Sequence, residues 1–132
     1  MNSAIERLLT LRVKDVMTPS PVHLGLDQTI DEATDTLARH DISGAPVVDA
    51  DGICVGVIST SDLAGSLYCT SVAEVMSPSP ITLSADAPMM DSARRMVREH
   101  IHRVVVADDE NHATGVITSL DVVAALVKAI AE

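Results

Sequence analysis

Two aspartates, Asp62 and Asp121, occupy the same place in two similar segments, GVISTSD at 56–62 and GVITSLD at 115–121. In each segment an apolar run ends in two hydroxyl residues and leads into a helix start, which directs backbone N–H groups and hydroxyls at one spot. That spot suits an anion or a sugar, and the aspartate would accept two hydrogen bonds from a sugar diol, each contributing about 1.5–3 kcal/mol where water is excluded. The alternative is a plain helix cap, but recurrence at the same phase favours the ligand role. The hydroxyl residues are Ser59, Thr60, Thr118 and Ser119.

The two segments belong to an internal duplication with a constant offset of 59 residues. The stretch VMTPSPV at 16–22 returns as VMSPSPI at 75–81. About sixteen positions match without a gap, more than chance composition gives over such a span. The sequence therefore predicts one structural unit repeated twice.

Each repeat begins with a short extended segment and a helix. Val22–Leu24 and Ile81–Leu83 follow the two proline turns. Asp27 and Asp86 are suitable N-caps for the helices that follow. Apolar and small residues then recur at helical spacing. They are Ile30, Ala33, Thr34 and Leu37 in the first repeat and Met89, Ala93, Met96 and Val97 in the second.

A hairpin and a second helix complete each repeat. The predicted strands are 45–48, 55–58, 104–106 and 114–117, joined by acidic turns at 49–52 and 108–111. A helix then begins near Ser61 or Leu120 behind hydroxyl caps. The order is β-α-β-β-α twice, which places the chain in the α+β class. The predicted domains are an N-terminal helical arm over 1–11, a first repeat over 12–68 and a second over 69–132, with a tight connector at 64–72.

The composition limits the partners of this chain. Its 132 residues are 47% apolar, with no Phe or Trp and with Tyr68 as the single tyrosine, so the core must be aliphatic. The net charge of −10 argues against nucleic acid as the main partner, because phosphate contacts need a basic face. No apolar run reaches the roughly 20 residues of a membrane span, and the N-terminus MNSAIERLL lacks a secretory pattern. We expect a cytoplasmic protein without a membrane partner.

The sequence contains none of the common catalytic or metal-binding motifs. Cys54 and Cys69 are expected to be buried or half-buried thiols rather than a disulfide. His100, His102 and His112 lack the spacing of a zinc site. The sequence has no Gly-x-Ser-x-Gly elbow and no P-loop. We therefore expect no enzymatic activity, no metal and no bound cofactor.

The ordered motifs resemble those of the CBS domain, the cystathionine-β-synthase type. They read VKDVMTP, ISGAPVVD and GVISTSD in the first repeat and VAEVMSP, IHRVVVAD and GVITSLD in the second. Two such repeats in tandem resemble a Bateman module, over roughly residues 12–127. The resemblance implies two repeats with their sheets packed together about a pseudo-two-fold axis and helices outside, often dimerised. It also implies a regulatory role, with adenosine-containing ligands bound in clefts between the repeats.

The resemblance also implies a set of ligand-binding residues. Asp62 and Asp121 would hold ribose, while Arg103 and His102 would lie beside phosphates, because the planar fork of arginine donates two parallel bonds. Taken without the resemblance, Arg103 would be an ordinary exposed strand-edge arginine. Because Tyr68 is the only Phe, Trp or Tyr of the sequence, aliphatic side chains would clamp adenine, and backbone groups near Ala45 and Pro46 would read its edge. The remaining predicted lining is Thr18, Val22, Ile42, Ser43, Gly44, Ser59, Thr60, Ser77, Ile81, Ile101, Val104, Thr118 and Ser119.

The two clefts are predicted to differ. The resemblance pairs Asp62 with Arg103 across one cleft, whereas Asp121 would face Ser43 and Gly44 in the other. The first cleft should bind phosphorylated adenosine such as AMP, ADP or ATP. The second should bind weakly or prefer a less charged ligand. S-adenosylmethionine and NAD are further candidates.

Apolar residues on the predicted helices suggest that the module forms a homodimer, because their faces are too extensive for a small monomer. They are Leu63, Leu67, Val122, Val123, Leu126 and Ile130. One alternative function is a ligand-free scaffold of the same fold that dimerises or docks a partner. A small nucleotide-processing enzyme is disfavoured because no nucleophile or base is evident. The paired prolines of each repeated turn are expected to stop the preceding helix and to hold the chain extended.

Overall fold

The computed structural model describes residues 3–66 and 70–131, which form seven helices and eight strands. The helices are α1 (Ser3–Thr10), α2 (Val13–Val16), α3 (Ile30–Arg39), α4 (Thr60–Ala64), α5 (Val72–Val75), α6 (Met89–Glu99) and α7 (Ser119–Ala131). The strands are β1 (Thr18–Pro19), β2 (Leu24–Gly25), β3 (Gly44–Val48), β4 (Cys54–Ser59), β5 (Ser77–Pro78), β6 (Thr82–Leu83), β7 (Arg103–Ala107) and β8 (Ala113–Thr118). The predictions on Leu67, Tyr68 and Cys69 fall outside the described residues.

The strands form two four-stranded sheets of matching topology, ordered β2-β3-β4-β5 and β1-β8-β7-β6. β2 runs parallel to β3 across helix α3, and β6 runs parallel to β7 across α6. β3 and β4 form the antiparallel hairpin predicted from the acidic turn. The α+β class and the repeated β-α-β-β-α order are confirmed.

The chain divides into two compact units whose boundaries cross the repeats. Unit 1 comprises Met1–Ser20, Ile81–Asp109 and Thr114–Glu132, and unit 2 comprises Pro21–Pro80 and Glu110–Ala113. Each unit has its own core, and both cores are aliphatic, as the composition required. The buried core residues are Val13, Met89, Met96, Val104, Val106, Ile117 and Ala125 in unit 1 and Leu24, Ala33, Leu37, Ala45, Val47, Ile58 and Val72 in unit 2.

Each sheet is completed by the proline-rich segment that precedes the other repeat. β1 pairs antiparallel with β8, and β5 pairs antiparallel with β4. The methionine before each of these strands lies over a glycine of the strand it joins. A Cβ at Gly56 would meet Met76 Sδ at 2.6 Å and Ser77 O at 2.9 Å, and a Cβ at Gly115 would meet Met17 Sδ at 2.5 Å. Close approach of the added segment therefore requires glycine at this position in both repeats.

The N-caps of α3 and α6 differ from the prediction that named Asp27 and Asp86. Thr29 caps α3, because its Oγ1 accepts the Glu32 N–H at 3.1 Å and the Glu32 carboxylate accepts the Thr29 N–H at 3.0 Å. Hydrogen bonds from the backbone N–H and the side chain of Thr29 to the Glu32 carboxylate hold the pKa of this carboxyl below its ordinary value. The two aspartates lie too early in the chain to reach the first helical turn.

In the second repeat, Pro88 is the N-cap of α6. Asp86 instead pairs with Lys14 of α2 at 2.9 Å between Oδ1 and Nζ. Its pKa is lowered by that hydrogen bond and by the lysine charge. Asp86 thus joins α2 to the loop before α6 within unit 1 rather than capping a helix.

The chain is not extended throughout the proline turns, so that part of the prediction is wrong. Ser20 and Ser79, between the two prolines of each turn, have φ of +49° and +54°. The left-handed residues of the first repeat recur at the constant offset in the second, as Asp41 with His100 and Gly52 with Asn111 also show. The duplication therefore extends to backbone conformation, including a left-handed serine in each proline turn, where that residue type is uncommon.

The exposed apolar residues differ in part from the prediction. Leu63 and Val122 are half-buried against the cores of their units. Val123, Leu126 and Ile130 are exposed, and so are Ile5, Leu9, Val97, Leu120 and Val127.

None of the helices in 3–66 and 70–131 combines the length and apolarity needed to cross a membrane. Cys54 is a buried free thiol, and burial raises its pKa.

We predict that Gly56→Ala lowers the free energy of unfolding by about 1–3 kcal/mol, because the new methyl group would overlap the Ser77 carbonyl, which belongs to the backbone. Urea denaturation measures the effect. Gly25→Ala is the matched control, since its nearest neighbour would be Gln28 Cγ at 3.9 Å, and it should change stability by less than about 0.5 kcal/mol. Equal stability of the two variants would contradict this account of the glycine.

Candidate ligand site

In unit 2, the start of β3 and the junction of β4 with α4 meet at one edge of the sheet. Gly44 lies opposite Ser59 in the antiparallel register. The Thr60 N–H donates a hydrogen bond of 2.9 Å to the Ser43 carbonyl. The predicted residues Ser43, Gly44, Ser59 and Thr60 are therefore neighbours at this edge of the sheet.

Unit 1 repeats this construction with different side chains. The Ser119 N–H donates a hydrogen bond of 2.9 Å to the His102 carbonyl. β7 begins at Arg103, and its neighbour β8 ends at Thr118. His102 and Arg103 thus take the places that Ser43 and Gly44 have in the first repeat. In both repeats these residues lie next to a strand–helix junction that carries hydroxyl side chains.

Asp62 and Asp121 close a capping box at their junctions. The Asp62 Oδ2 accepts the Ser59 N–H at 2.9 Å, and the Asp62 N–H donates to Ser59 Oγ at 3.2 Å. Asp121 makes the same two contacts with Thr118, at 2.8 and 3.2 Å. The predicted hydroxyl caps are confirmed. Because capping uses one carboxylate oxygen and a carboxylate offers about four acceptor sites, these half-buried aspartates keep capacity to bind hydroxyl donors.

Arg103 is half-buried at the start of β7, whereas His102 beside it is exposed. Burial lowers the pKa of the Arg103 guanidinium from its ordinary value. Arginine nevertheless stays protonated at neutral pH. A partly desolvated cation gains more from an anionic ligand than a fully hydrated one does, since water screens the attraction less.

The remaining predicted residues differ in their access to solvent. Val22, Ile42, Ile81 and Ile101 are half-buried, so each keeps apolar surface that a flat ring could contact. Ala45, Pro46 and Val104 are buried inside their strands. Thr18 and Ser77 are exposed on β1 and β5, opposite Val116 and Val57.

The structure distributes the predicted site over both units. Asp62 belongs to unit 2, with Val22, Ile42, the edge residues 43–46, Ser59, Thr60 and Ser77. Arg103 belongs to unit 1, with Thr18, Ile81, Ile101, His102, Val104, Thr118, Ser119 and Asp121. The pairing of Asp62 with Arg103, the facing of Asp121 to Ser43 and Gly44, and the reading of adenine by backbone groups stay predictions.

The family of the chain follows from comparison with known sequences. A family model described as the CBS domain matches residues 13–68 and 72–128. The chain belongs to the CBS domain family. The two matched segments correspond to the two repeats, so the chain carries a tandem pair of these domains.

Curated relatives are much longer than this CBS pair. The L-aspartate semialdehyde sulfurtransferase of Methanocaldococcus jannaschii is 32% identical over 123 residues, covering 92% of this chain and 24% of the relative. An inosine-5′-monophosphate dehydrogenase of Halobacterium salinarum is 33% identical over 113 residues, covering 83% of this chain and 22% of the relative. The chain thus spans about a quarter of the length of these relatives.

Solved CBS pairs share the fold of this chain. The CBS domain pair of protein MJ0100, in complex with 5′-methylthioadenosine and S-adenosyl-L-methionine, matches with a TM-score of 0.84 and 31% identity over 89% of this chain and 97% of that one. CBSX2 of Arabidopsis thaliana, in complex with AMP, matches with a TM-score of 0.85 and 27% identity over 92% of this chain and 98% of that one. Both structures contain adenosine derivatives.

One concave feature of unit 2 lies between two helices, and its lining includes Ile42 and Thr60, two of the predicted ligand residues. A groove of about 410 Å³ lies between α3 and α4, with Leu37 and Leu63 among its lining residues. It is bordered by Ala38 and Ala64, whose small side chains leave the space. Two alanines on separate helices carry no pattern that would have identified this groove before their juxtaposition was known.

We predict that Asp62→Ala lowers the free energy of unfolding by about 1 kcal/mol, because the Ser59 N–H loses its acceptor. Asp62→Asn should retain most of the stability, since its amide oxygen still accepts that hydrogen bond. Urea denaturation distinguishes the two, with exposed Ser61→Ala in the same turn as control. If Asp62→Ala were as stable as wild type, the carboxylate would not contribute as a cap.

Proposed function

We propose that this CBS pair is a regulatory module that binds adenosine-containing nucleotides. The observation that carries the proposal is the repeated junction at which a strand ends in hydroxyl residues and a capping aspartate holds its carboxylate beside them. The adenosine derivatives bound by MJ0100 and CBSX2 support it. AMP, ADP and ATP are the primary candidates, and S-adenosylmethionine or NAD would offer the same adenosine.

In this proposal the aspartate receives the ribose diol. Asp62 and Asp121 each use one carboxylate oxygen for the cap, and the remaining acceptor sites suit two adjacent hydroxyls. The capping box fixes the side-chain rotamer before the ligand arrives, which reduces the entropy lost on binding. Half-buried Val22, Ile42, Ile81 and Ile101 supply apolar surface for adenine.

Charge makes the two binding positions unequal. Arg103 is half-buried at the start of β7, and its planar guanidinium can donate two parallel hydrogen bonds to a phosphate. The equivalent residue of the first repeat is Gly44, which offers no cation. We therefore propose that phosphorylated adenosine is held by Asp62 together with Arg103 and His102, while Asp121 with Ser43 and Gly44 prefers a less charged ligand.

The regulatory step would be a shift between arrangements of the module. A ligand changes such an equilibrium only through its different affinity for the two arrangements. We propose that the module acts as a homodimer in the cytoplasm and reports nucleotide state to a partner, without chemistry of its own. The exposed apolar residues of α7 support self-association, because a helix that is apolar on most sides requires a cover.

The same apolar faces favour a second candidate, a ligand-free scaffold. In that case the junctions would only cap helices, and the module would serve dimerisation or docking alone. A thermal shift experiment separates the two candidates, since a ligand at 100 times its dissociation constant stabilises by about 2.7 kcal/mol.

We predict that Asp62→Asn weakens AMP binding by about tenfold or more, because a charge-assisted hydrogen bond to ribose is lost while the cap is kept. Asp121→Asn should change AMP affinity by less than about threefold. Isothermal titration calorimetry measures both, with Asp51→Asn in the exposed β3–β4 turn as control.

Arg103→Gln provides the companion measurement for the phosphate. It should weaken AMP binding but leave adenosine binding nearly unchanged, because adenosine carries no phosphate. Equal losses of AMP affinity from Asp62→Asn and Asp121→Asn would refute the inequality of the two positions. If AMP, ADP, ATP, S-adenosylmethionine and NAD all fail to bind or to shift the melting temperature, the scaffold is favoured instead.

A further inference from the structure

Met17 and Met76 each place a thioether sulfur between the core of a unit and the backbone of a strand. A Cβ on Gly115 would stand 2.5 Å from Met17 Sδ, and a Cβ on Gly56 would stand 2.6 Å from Met76 Sδ. Met17 also packs against the core of unit 1, and Met76 packs against the core of unit 2. Each sulfur therefore closes the space between an apolar cluster and a glycine, where a further atom would not fit.

The strands that follow these methionines make few backbone contacts. β1 and β5 are two residues long, and each contains a proline, which has no N–H to donate to the neighbouring strand. Just after β1, the Ser20 N–H donates a hydrogen bond of 3.1 Å to the Thr114 carbonyl, so this amide reports whether the segment is attached. Attachment of each short strand therefore depends strongly on the packing of the methionine before it.

The described methionines differ in their access to solvent. Met89 and Met96 are 1% and 7% exposed, whereas Met17, Met76 and Met90 are half-buried. A dissolved oxidant reaches exposed sulfur atoms more readily than buried ones. Met90 lies within helix α6 rather than before an edge strand, so it provides a comparison of similar exposure.

Oxidation would change the methionine–glycine contact in both size and polarity. A methionine sulfoxide carries an additional oxygen and is polar where the thioether is apolar. The aliphatic core offers that oxygen no hydrogen-bond donor, and burial of an unpaired polar group is unfavourable. On the other side, the close approach of the sulfur to the glycine leaves no space for the oxygen. The oxidised side chain is therefore better accommodated in water, away from the strand.

We propose that Met17 and Met76 are modification sites at which a peroxide controls the attachment of β1 and β5. The thioether sulfur attacks one oxygen of hydrogen peroxide with a lone pair, the O–O bond breaks and an S–O bond forms. The other oxygen leaves as water after proton transfer, so the sulfur loses the two electrons that the peroxide gains. Methionine sulfoxide reductases reverse the change, with one enzyme for each sulfoxide epimer.

Release of the strands would also move two residues of the predicted ligand lining. Thr18 and Ser77 directly follow the two methionines, and both are exposed on their strands. Oxidation would in this way weaken nucleotide binding, a consequence that rests on the proposed function. Release of the strands themselves requires no ligand, so it stands independently of that function.

Peroxide treatment followed by hydrogen exchange tests the proposal. Wild type is oxidised with hydrogen peroxide, catalase removes the excess, and peptide mass spectrometry locates the added oxygens. We expect sulfoxides at both proposed sites before any appear at Met89 or Met96. Amide exchange followed by NMR should then become about tenfold or more faster at Ser20 and in the β4–β5 pair, because a buried polar group disfavours the attached state.

Leucine variants separate oxidation from packing. Met17→Leu and Met76→Leu keep a similar apolar volume and have no sulfur at the site, so each should abolish the peroxide effect in its own unit. Met90→Leu is the matched control and should leave the effect as it is in wild type. Treatment of oxidised wild type with reductases for both epimers should restore slow exchange.

Several outcomes would overturn the proposal. They are proposed sites that stay reduced while Met89 or Met96 is oxidised, sulfoxides that form at both sites without faster exchange, and exchange that quickens equally in the leucine variants.

AMP titration of reduced and oxidised wild type tests the consequence for nucleotides separately. The affinity for AMP should fall about threefold or more on oxidation. Unchanged affinity in an oxidised protein with released strands would refute the link to ligand binding. A reduced protein that does not bind AMP would instead contradict the proposed function and leave the exchange result intact.

Discussion

The close approach of a methionine-led segment to a glycine is the contact on which both units depend. Met76 lies over Gly56 and Met17 over Gly115, and each contact seats a two-residue strand at the edge of a sheet. Without these segments each sheet would end in an exposed edge of β4 or β8. The repeated turn is thus explained less by its prolines than by the side chain before them, which fits only where the facing residue has no Cβ.

The candidate site reuses the hydrogen bonds that begin a helix. At each junction the strand supplies a hydroxyl and an N–H, and an aspartate one turn later completes the capping box. This arrangement stabilises the helix start and at the same time fixes a carboxylate in one rotamer. The same aspartate can therefore cap the helix and bind a ribose, which is why the sequence pattern allows both interpretations.

Local signals explain what the sequence could predict about this chain. The hydroxyl pair before each second helix, Ser59 with Thr60 and Thr118 with Ser119, is a local signal for a cap, and the first residue of each pair is the one that caps the helix. Thr29 and Glu32 form a similar box, but Asp27 two residues earlier is also a favoured cap type, and the prediction that named it is wrong. The β-α-β-β-α order follows from the periodicity of apolar residues. Because the unit is duplicated, the second repeat gives an independent indication of each helix and strand.

Non-local features could not be predicted in the same way. β1 and β5 have two residues each and contain proline, so neither shows the alternation that identifies a strand. Their partners lie in the other repeat, which no local pattern specifies. The hollow between α3 and α4 depends on two alanines distant in sequence, and the left-handed serines are of a type that normally avoids that conformation. Ligand pairing across the units has the same non-local character and remains a prediction.

The exchange of edge strands also sets an order for folding during synthesis. β5 follows β4 closely along the chain, so unit 2 gains its fourth strand soon after the first repeat has been made. β1 must wait for β8, because about three-quarters of the chain separates Thr18 from Val116. β1 is therefore synthesised well before its partner strand, and the long loop that their pairing closes is slow to form.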